Sequence, residues 1–300
     1  MTNINDLKTT LENADYFADE EILYALMGAI DTNLPLLIEG DPGVGKSSLA
    51  IALAKGYNIP LIRVQCYDGI SPDSIMYDYD YQRMLLVVSA VRDKLNDAMK
   101  DLSVAESVQY VSRNLEFYGE EFLLDRPILR ALRDPGPKVL LIDEIDKATE
   151  EIEHTLLEVL SDFAMTIPEY KTIVCDKEDM PIVILTSNRF RELSAPLKRR
   201  CVYLFINQKT KDEIKHILRL KVADDEAFCE RIATYLSQIN TLTLQHPTSI
   251  SEGIAWAKFL RNSLNITSES DIEAAAKNTI GFLAKDNADR KAILNRVFGR

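Results

Sequence analysis

Residues 40–47, which read Gly-Asp-Pro-Gly-Val-Gly-Lys-Ser, combine the residue types that hold a chain of phosphates. The segment follows the apolar run 34–38 and precedes a predicted helix over 47–56. Its glycines let backbone N–H groups converge on phosphate oxygens, and the helix adds the positive end of its dipole. Lys46 can reach the terminal phosphates, and Ser47 can offer a hydroxyl to Mg²⁺. The segment therefore predicts a site for ATP and Mg²⁺, formed by Gly40, Asp41, Pro42, Gly43, Val44, Gly45, Lys46, Ser47 and Ser48.

Two adjacent acids, Asp143 and Glu144, follow the apolar run 139–142, which has the pattern of a buried strand. Both carboxylates therefore emerge at one strand end. Asp143 is placed to hold Mg²⁺ through water, and Glu144 can polarise a water that attacks the terminal phosphate. This pair predicts hydrolysis in addition to binding. The alternative is that the two acids cap the helix predicted over 147–162.

A third apolar run, 181–187, ends at Asn188, whose side chain can orient the attacking water. A polar residue at a strand end carries little weight alone. Its place in the order is informative, because it follows the strand with the two acids and precedes the basic group 198–200 and the predicted strand 202–206. That succession is similar to the layout of an AAA+ ATPase.

Between Tyr16 and Arg261 the chain resembles the MoxR branch of AAA+ proteins, most of all its CoxD-type members. The segments that carry the resemblance are 36–46, 61–69, 156–163, 185–189 and 247–252. The resemblance implies an ATP-hydrolysing ring, usually a hexamer, that remodels or matures a protein client. It also implies a partner with a von Willebrand factor A domain and, among the family's clients, metalloenzymes that require maturation.

The fold class we expect is α/β, with an AAA+ P-loop NTPase core, a parallel sheet between helices, followed by a smaller all-helical lid. From about residue 209 onward the apolar spacing is helical throughout, so we place the core at 1–207 and the lid at 208–300. The core contains a largely helical insertion at about 69–137 and a hairpin at about 166–178. MoxR-like proteins carry a hairpin at that position, ahead of the strand that ends at Asn188.

The basic group at 198–200 has two interpretations. It is either a solvated helix end or an arginine finger that acts between subunits. In the AAA+ layout an arginine beyond Asn188 lies on the wrong side of its own subunit to reach its own ATP. We therefore favour Arg200, ahead of Arg199, as a residue that completes the catalytic site of a neighbour, and we expect hydrolysis to require assembly.

Three further features leave alternatives open. Tyr16 corresponds to the family segment near the adenine base, where it would stack on the base or serve as a core aromatic. The lid lacks the arginine that often senses nucleotide, and Ser251 stands in its place. Aromatic and acidic residues alternate at 77–81, so an extended strand would put Tyr77, Tyr79 and Tyr81 on one face, either as a client-contacting loop or as packing for the insertion.

Composition limits the choice of partners and compartment. The net charge of −12 opposes attraction to a phosphate backbone, so nucleic acid is an unexpected client. The apolar runs are too short to cross a bilayer, and the N-terminus lacks the blocks of a signal peptide, so we expect a cytoplasmic protein without membrane contact. The cysteines are widely spaced, which favours core packing over a zinc site.

These features are compatible with three classes of function. The leading one is an ATP-driven protein remodeller. The rivals are a nucleic-acid-linked ATPase of the clamp-loader or restriction type, and a slow, nucleotide-gated binding scaffold. DNA stimulation of hydrolysis would favour the first rival, and tight ATP binding with negligible turnover would favour the second.

Overall fold

The structure, a computed structural model, describes residues 3–100, 102–114, 118–264, 266 and 269–299. Its strands are β1 (Leu36–Gly40), β2 (Leu61–Gln65), β3 (Tyr77–Tyr79), β4 (Leu123–Asp125), β5 (Val139–Asp143), β6 (Ala164–Thr166), β7 (Thr172–Val174), β8 (Ile182–Ser187) and β9 (Val202–Ile206). Its α-helices are α1 (Ile4–Asn13), α2 (Glu20–Thr32), α3 (Lys46–Tyr57), α4 (Pro72–Ile75), α5 (Tyr81–Met99), α6 (Val104–Asn114), α7 (Pro127–Arg133), α8 (Glu150–Asp162), α9 (Ala195–Lys198), α10 (Lys211–Lys221), α11 (Glu226–Asn240), α12 (Ile250–Lys258), α13 (Glu269–Asn278) and α14 (Asn287–Arg296). Within these described ranges, no helix has the length and apolar character needed to cross a membrane.

The central sheet is parallel and has the strand order β2-β5-β8-β1-β9. Strands β1 and β5 are buried along their whole length, as expected for apolar runs covered on both faces. In a parallel sheet the carboxyl ends of the strands meet at one edge. The register places Gln65 of β2 beside Asp143 of β5, so polar residues of neighbouring strands meet there.

Two hydrophobic clusters cover the sheet. One contains residues of α1, α2 and α3 together with Leu36 and Ile38 of β1. The other packs α7 and α8 against β5 and β8 and reaches into the insertion through Phe122 and Tyr79. Helix α2 begins after Asp19, whose carboxylate accepts the Ile22 N–H at 2.9 Å. The described core matches the expected α/β arrangement of a parallel sheet between helices.

Helices α10 to α14 form a third hydrophobic cluster around the fully buried Trp256, whose indole N–H donates to Thr279 Oγ1 at 2.8 Å. The helical pattern predicted from about residue 209 onward occurs as these five helices. Helix α12 is extended by a π-helical turn, Phe259–Ser263. The division of the chain into domains at residue 208 stays a prediction.

The insertion contains a short antiparallel hairpin of β3 and β4, and α5 begins directly after β3. The expectation that Tyr77, Tyr79 and Tyr81 share one face of a strand is wrong, because the strand ends at Tyr79. Asp80 caps α5 by accepting the Arg83 N–H at 2.9 Å, so Tyr81 is the first helical residue and is exposed. Tyr79 is buried and packs edge-on against Tyr77.

The predicted hairpin before β8 is present as β6 and β7, which pair antiparallel with Thr166 beside Thr172. Tyr170, in the connecting loop, donates from its hydroxyl to Glu120 of the insertion at 3.0 Å. The hairpin therefore lies against the insertion.

Candidate functional site

The phosphate loop connects β1 to α3 and needs two glycines for its shape. Gly43 and Gly45 have φ values of +81° and +101°, in the left-handed region that glycine adopts without a steric cost. Lys46 lies inside the loop, where its ammonium donates to Gly40 O at 2.7 Å and to Asp41 O at 2.8 Å. Burial lowers the pKa of Lys46, and the carboxylate of Asp146 is the largest of several opposing influences. The loop thus holds a cation at the place where a phosphate chain would lie.

Asp143 and Ser47 meet beside the loop, as the sequence predicts for a metal site. Asp143 Oδ1 accepts the Ser47 hydroxyl at 2.6 Å and the Thr186 hydroxyl at 2.5 Å. Hydroxyl and carboxylate oxygens are the ligands that Mg²⁺ prefers. The residues present therefore fit a hard divalent cation.

Glu144 takes a backbone conformation that is uncommon for a residue with a side chain, with φ of +56°. Its N–H donates to Thr186 Oγ1 at 2.9 Å, which fixes this turn at the end of β5. The carboxylate accepts Asn188 Nδ2 at 3.1 Å on one oxygen, and Gln65 Nε2 at 3.1 Å and Lys147 Nζ at 2.6 Å on the other. The hydrogen bond to Glu144 raises the pKa of Lys147.

The two acids at the end of β5 do not cap the following long helix. Thr149 is the N-cap of α8 and accepts the Ile152 N–H, while Asp143 and Glu144 face the phosphate loop and Asn188. The helix-cap alternative for these acids is therefore wrong. One cavity is lined by both acids and by residues predicted to bind phosphate and water, namely Pro42, Gly43, Gly45, Lys46, Ser47, Ser48 and Asn188. Thr186 and, from the lid, Ser251 complete its lining.

A buried carboxylate holds the loop that follows β8. Asp146 Oδ2 accepts the backbone N–H of Asn188 at 3.1 Å and that of Phe190 at 2.7 Å, and the residue is fully buried. Arg189, between them, donates to Asp41 of the phosphate loop at 2.9 Å. These contacts keep the Asn188 side chain against Glu144.

An apolar cleft lies between the phosphate loop and the lid and is lined by Tyr16, Val44, Ile217, Ile250 and Ile254. Such a cleft suits a flat aromatic base. Burial, and to a lesser degree Asp19, raises the pKa of Tyr16, which donates to Gly45 O at 3.4 Å. The stacking role of Tyr16 stays a prediction.

The lid touches the phosphate loop directly. Ser249 is the N-cap of α12 in a capping box with Glu252, and it packs so tightly on Gly43 that a Cβ added there would lie 2.1 Å from Ser249 Cβ. Glu252 in turn pairs with Lys285 at 2.7 Å. Arg261 pairs with Asp225 inside the lid at 3.0 Å and takes no part in this contact.

The two arginines before β9 differ in their surroundings. Arg200 donates through Nε to the Ser161 hydroxyl and through Nη1 to Pro196 O at 3.0 Å, whereas Arg199 is exposed. Neither lines the cavity that contains Lys46 and Glu144. The structure of one chain therefore leaves the predicted finger outside its own site.

Sequence reasoning missed four residues whose side chains contact the two acids, namely Arg63, Gln65, Lys147 and Thr186. Arg63 donates to Asp143 Oδ2 at 2.5 Å and to Gln65 Oε1 at 2.7 Å. A signal was available, because Arg63 and Gln65 alternate with buried residues at the carboxyl end of a predicted strand. Recognising their partners requires the register of β2 against β5.

This sheet order, the glycine-rich loop after β1 and the two acids at the end of β5, with β8 between these two strands, define an AAA+ P-loop NTPase. The family model described as the AAA domain, dynein-related subfamily, matches residues 35–201, more than half of the chain. The chain therefore belongs to this family of AAA ATPases. The AAA+ prediction is confirmed, and the MoxR branch stays a prediction.

Two relatives and one solved structure are similar to this chain over most of its length. Uncharacterized proteins of Staphylococcus epidermidis and Staphylococcus haemolyticus are both 22% identical to this chain, over 97% and 96% of its length and 98% of theirs. A mutant form of RuvB from Thermotoga maritima is similar in structure, with a TM-score of 0.51 and 17% identity, over 96% of this chain and 76% of that one. At this identity the likeness shows the fold alone.

Proposed function

We propose that this protein is a Mg²⁺-dependent ATP hydrolase that works as a ring and remodels a protein client, in the manner of MoxR-type AAA+ proteins. The observation that carries the proposal is the position of Glu144. Its carboxylate lies between Asn188 on one side and Lys147 and Gln65 on the other, in the same cavity as Lys46 and Ser47. An acid in this position serves as a general base toward water.

Each residue of the cavity has a role in this mechanism. Lys46 would release its loop carbonyls and neutralise charge on the terminal phosphates. Ser47 and Asp143 would hold Mg²⁺, which supplies further charge neutralisation when bound. Glu144 would accept a proton from the attacking water, and Asn188 would orient that water through the same amide that now donates to Glu144.

The ring is proposed because Arg200 does not line the cavity of its own chain. An arginine supplied by a neighbour contributes about 10³ to 10⁵ in rate in related phosphoryl-transfer enzymes. A hexamer is the expectation of the MoxR resemblance.

Complementation tests the ring. Lys46→Ala removes nucleotide binding from one subunit, and Arg200→Ala removes the finger from another. Each variant alone should be inactive, while a mixture should recover part of the activity, because a Lys46→Ala subunit can offer its finger to the ATP of an Arg200→Ala neighbour. A mixture as inactive as its components would contradict catalysis between subunits.

The client is proposed to be a protein, with a von Willebrand factor A-domain partner, and maturation of a metalloenzyme or another protein complex is the proposed task. The charge of −12 supports a protein client over nucleic acid. Four free cysteines, of which three are buried, suit the reducing cytoplasm where we place the protein. A nucleic-acid-linked ATPase and a slow nucleotide-gated scaffold remain the alternatives.

Trapping the complex tests the client. Tagged Glu144→Gln protein should bind ATP without hydrolysing it and so retain its partners, with Lys46→Ala protein as the control that cannot bind. ATP-dependent recovery of a von Willebrand-type protein or an apo-metalloenzyme from the native lysate would support the remodeller. Recovery of nucleic acid with replication or restriction proteins would replace it with the nucleic-acid-linked ATPase.

A further inference from the structure

Asp143 already has hydrogen-bond donors on both of its oxygens. Oδ1 accepts two hydroxyls, from Ser47 of α3 and Thr186 of β8, and Oδ2 accepts the guanidinium of Arg63 from β2. The side chain of Asp143 is buried, whereas that of Arg63 is 48% exposed. Three elements of the fold therefore converge on one carboxylate, and the only formal positive charge among these donors comes from Arg63.

Arg63 is held in this position by its neighbours. It points to the same side of β2 as Gln65, whose amide oxygen accepts Arg63 Nη2 at 2.7 Å. Gln65 also donates to Glu144, so β2 touches both acids of β5. The guanidinium of Arg63 therefore brings a positive charge to the two acids.

We propose that Arg63 sets the affinity of the site for its metal ion by competing with that ion for Asp143. The inference rests on the proposed function, since it assigns Asp143 to a Mg²⁺ site. A guanidinium on Oδ2 reduces the negative charge that Asp143 presents to a second cation, and it repels that cation directly. Because Arg63 is half exposed, solvent screens this repulsion and leaves a moderate effect. Arg63 thus makes metal binding weaker than the oxygen ligands alone would allow.

The alternative is that Arg63 only stabilises the edge strand β2. The two ideas differ in one measurable ratio, the affinity for ATP with saturating MgCl₂ divided by the affinity for ATP in EDTA. A folding or loop defect would lower both affinities and leave the ratio near the wild-type value. A competitor for the metal changes the affinity in MgCl₂ and leaves the affinity in EDTA near the wild-type value, so the ratio changes.

The experiment compares wild-type protein with Arg63→Gln, which removes the charge and keeps a polar side chain, and with Arg63→Lys, which keeps the charge. ATP affinity is measured by displacement of a fluorescent ATP analogue, in MgCl₂ and in EDTA. Arg63→Gln should raise the ratio by about threefold to tenfold. Arg63→Lys should stay within about twofold of wild type, because a cation remains beside Asp143.

The matched control is Arg130→Gln. Arg130 is an exposed arginine paired with Asp134 at 2.9 Å, at the end of α7, so its removal changes the net charge equally without touching Asp143. Its ratio should equal that of wild type. An unchanged or lowered ratio in Arg63→Gln, with normal Mg²⁺-dependent ATP binding by wild type, would overturn the role of Arg63 and leave the proposed function intact. Wild-type protein that binds ATP equally in MgCl₂ and EDTA would overturn both.

Discussion

Ser249 of the lid packs directly on Gly43 of the phosphate loop, and we expect this contact to couple the lid to the bound nucleotide. Replacing Gly43 with alanine puts a Cβ 2.1 Å from Ser249 Cβ and 3.0 Å from Ser249 Cα. Ordinary contact begins at 3.4 Å, so the start of α12 must retreat by roughly 1.3 Å. We therefore expect Gly43→Ala to separate the lid from the phosphate loop.

Gly43→Ala lowers the free energy of unfolding through two separate effects. A non-glycine residue at φ of +81° costs about 1–2 kcal/mol. The overpacking against Ser249 adds about 1–3 kcal/mol. Gly69→Ala isolates the first part, because Gly69 has nearly the same φ of +84° and an added Cβ there meets nothing within 4 Å. The difference between the two variants measures the lid contact.

Amide hydrogen exchange provides the assay, with residues 247–258 as the segment of interest. Gly43→Ala should speed exchange in this segment and weaken ATP binding by about tenfold for each 1.4 kcal/mol of lost contact. Gly69→Ala should leave the segment unchanged. The fluorescence of Trp256, the single tryptophan, reports whether the lid core stays folded. Equal exchange in this segment for both variants would refute the coupling of the lid through Gly43.

The arginines before β9, Asn188 and the buried cysteines can each be tested by one measurement. Arg200→Ala should abolish turnover and spare ATP binding, whereas Arg199→Ala should retain turnover, and steady-state hydrolysis of the two variants decides between them. Asn188→Ala should lower kcat by about 10² to 10³, with ATP affinity nearly unchanged, because its amide serves the attacking water; a change confined to KM would contradict this role. Burial raises the pKa of Cys66 and of Cys201 to about 12, so both thiols stay protonated at pH 8. They should therefore react with a thiol reagent only after the protein is unfolded in urea. Rapid reaction in the folded protein would show that the two thiols are accessible.

The parts of the site that lie within short motifs could be predicted from sequence. The phosphate loop requires glycine where φ is positive and places Lys46 and Ser47 at the start of a helix. An apolar run that ends in two acids places Asp143 and Glu144 at a strand end. Local chemistry fixes both arrangements, so the pairing of Ser47 with Asp143 follows from the order of the motifs.

The parts that depend on long-range register could not be predicted. Arg63 and Gln65 reach the two acids only because β2 lies beside β5, with Gln65 in register with Asp143. Ser249 caps α12, and its contact with Gly43 joins two segments that are distant in the sequence. The strand predicted through Tyr81 ends earlier because Asp80 caps a helix, and this signal was present in the sequence.

Hydrolysis of ATP by purified protein, with and without the Glu144 carboxylate, decides whether this site is that of an ATP hydrolase. Glu144→Gln keeps the size and the hydrogen-bonding capacity of the side chain and removes the base. We expect Mg²⁺-dependent turnover by the wild-type protein, and retained ATP binding with turnover lowered by about 10² or more in Glu144→Gln. Wild-type turnover in Glu144→Gln would contradict the assignment of Glu144 as the base, and ATP binding without turnover by the assembled wild-type protein would favour the nucleotide-gated scaffold.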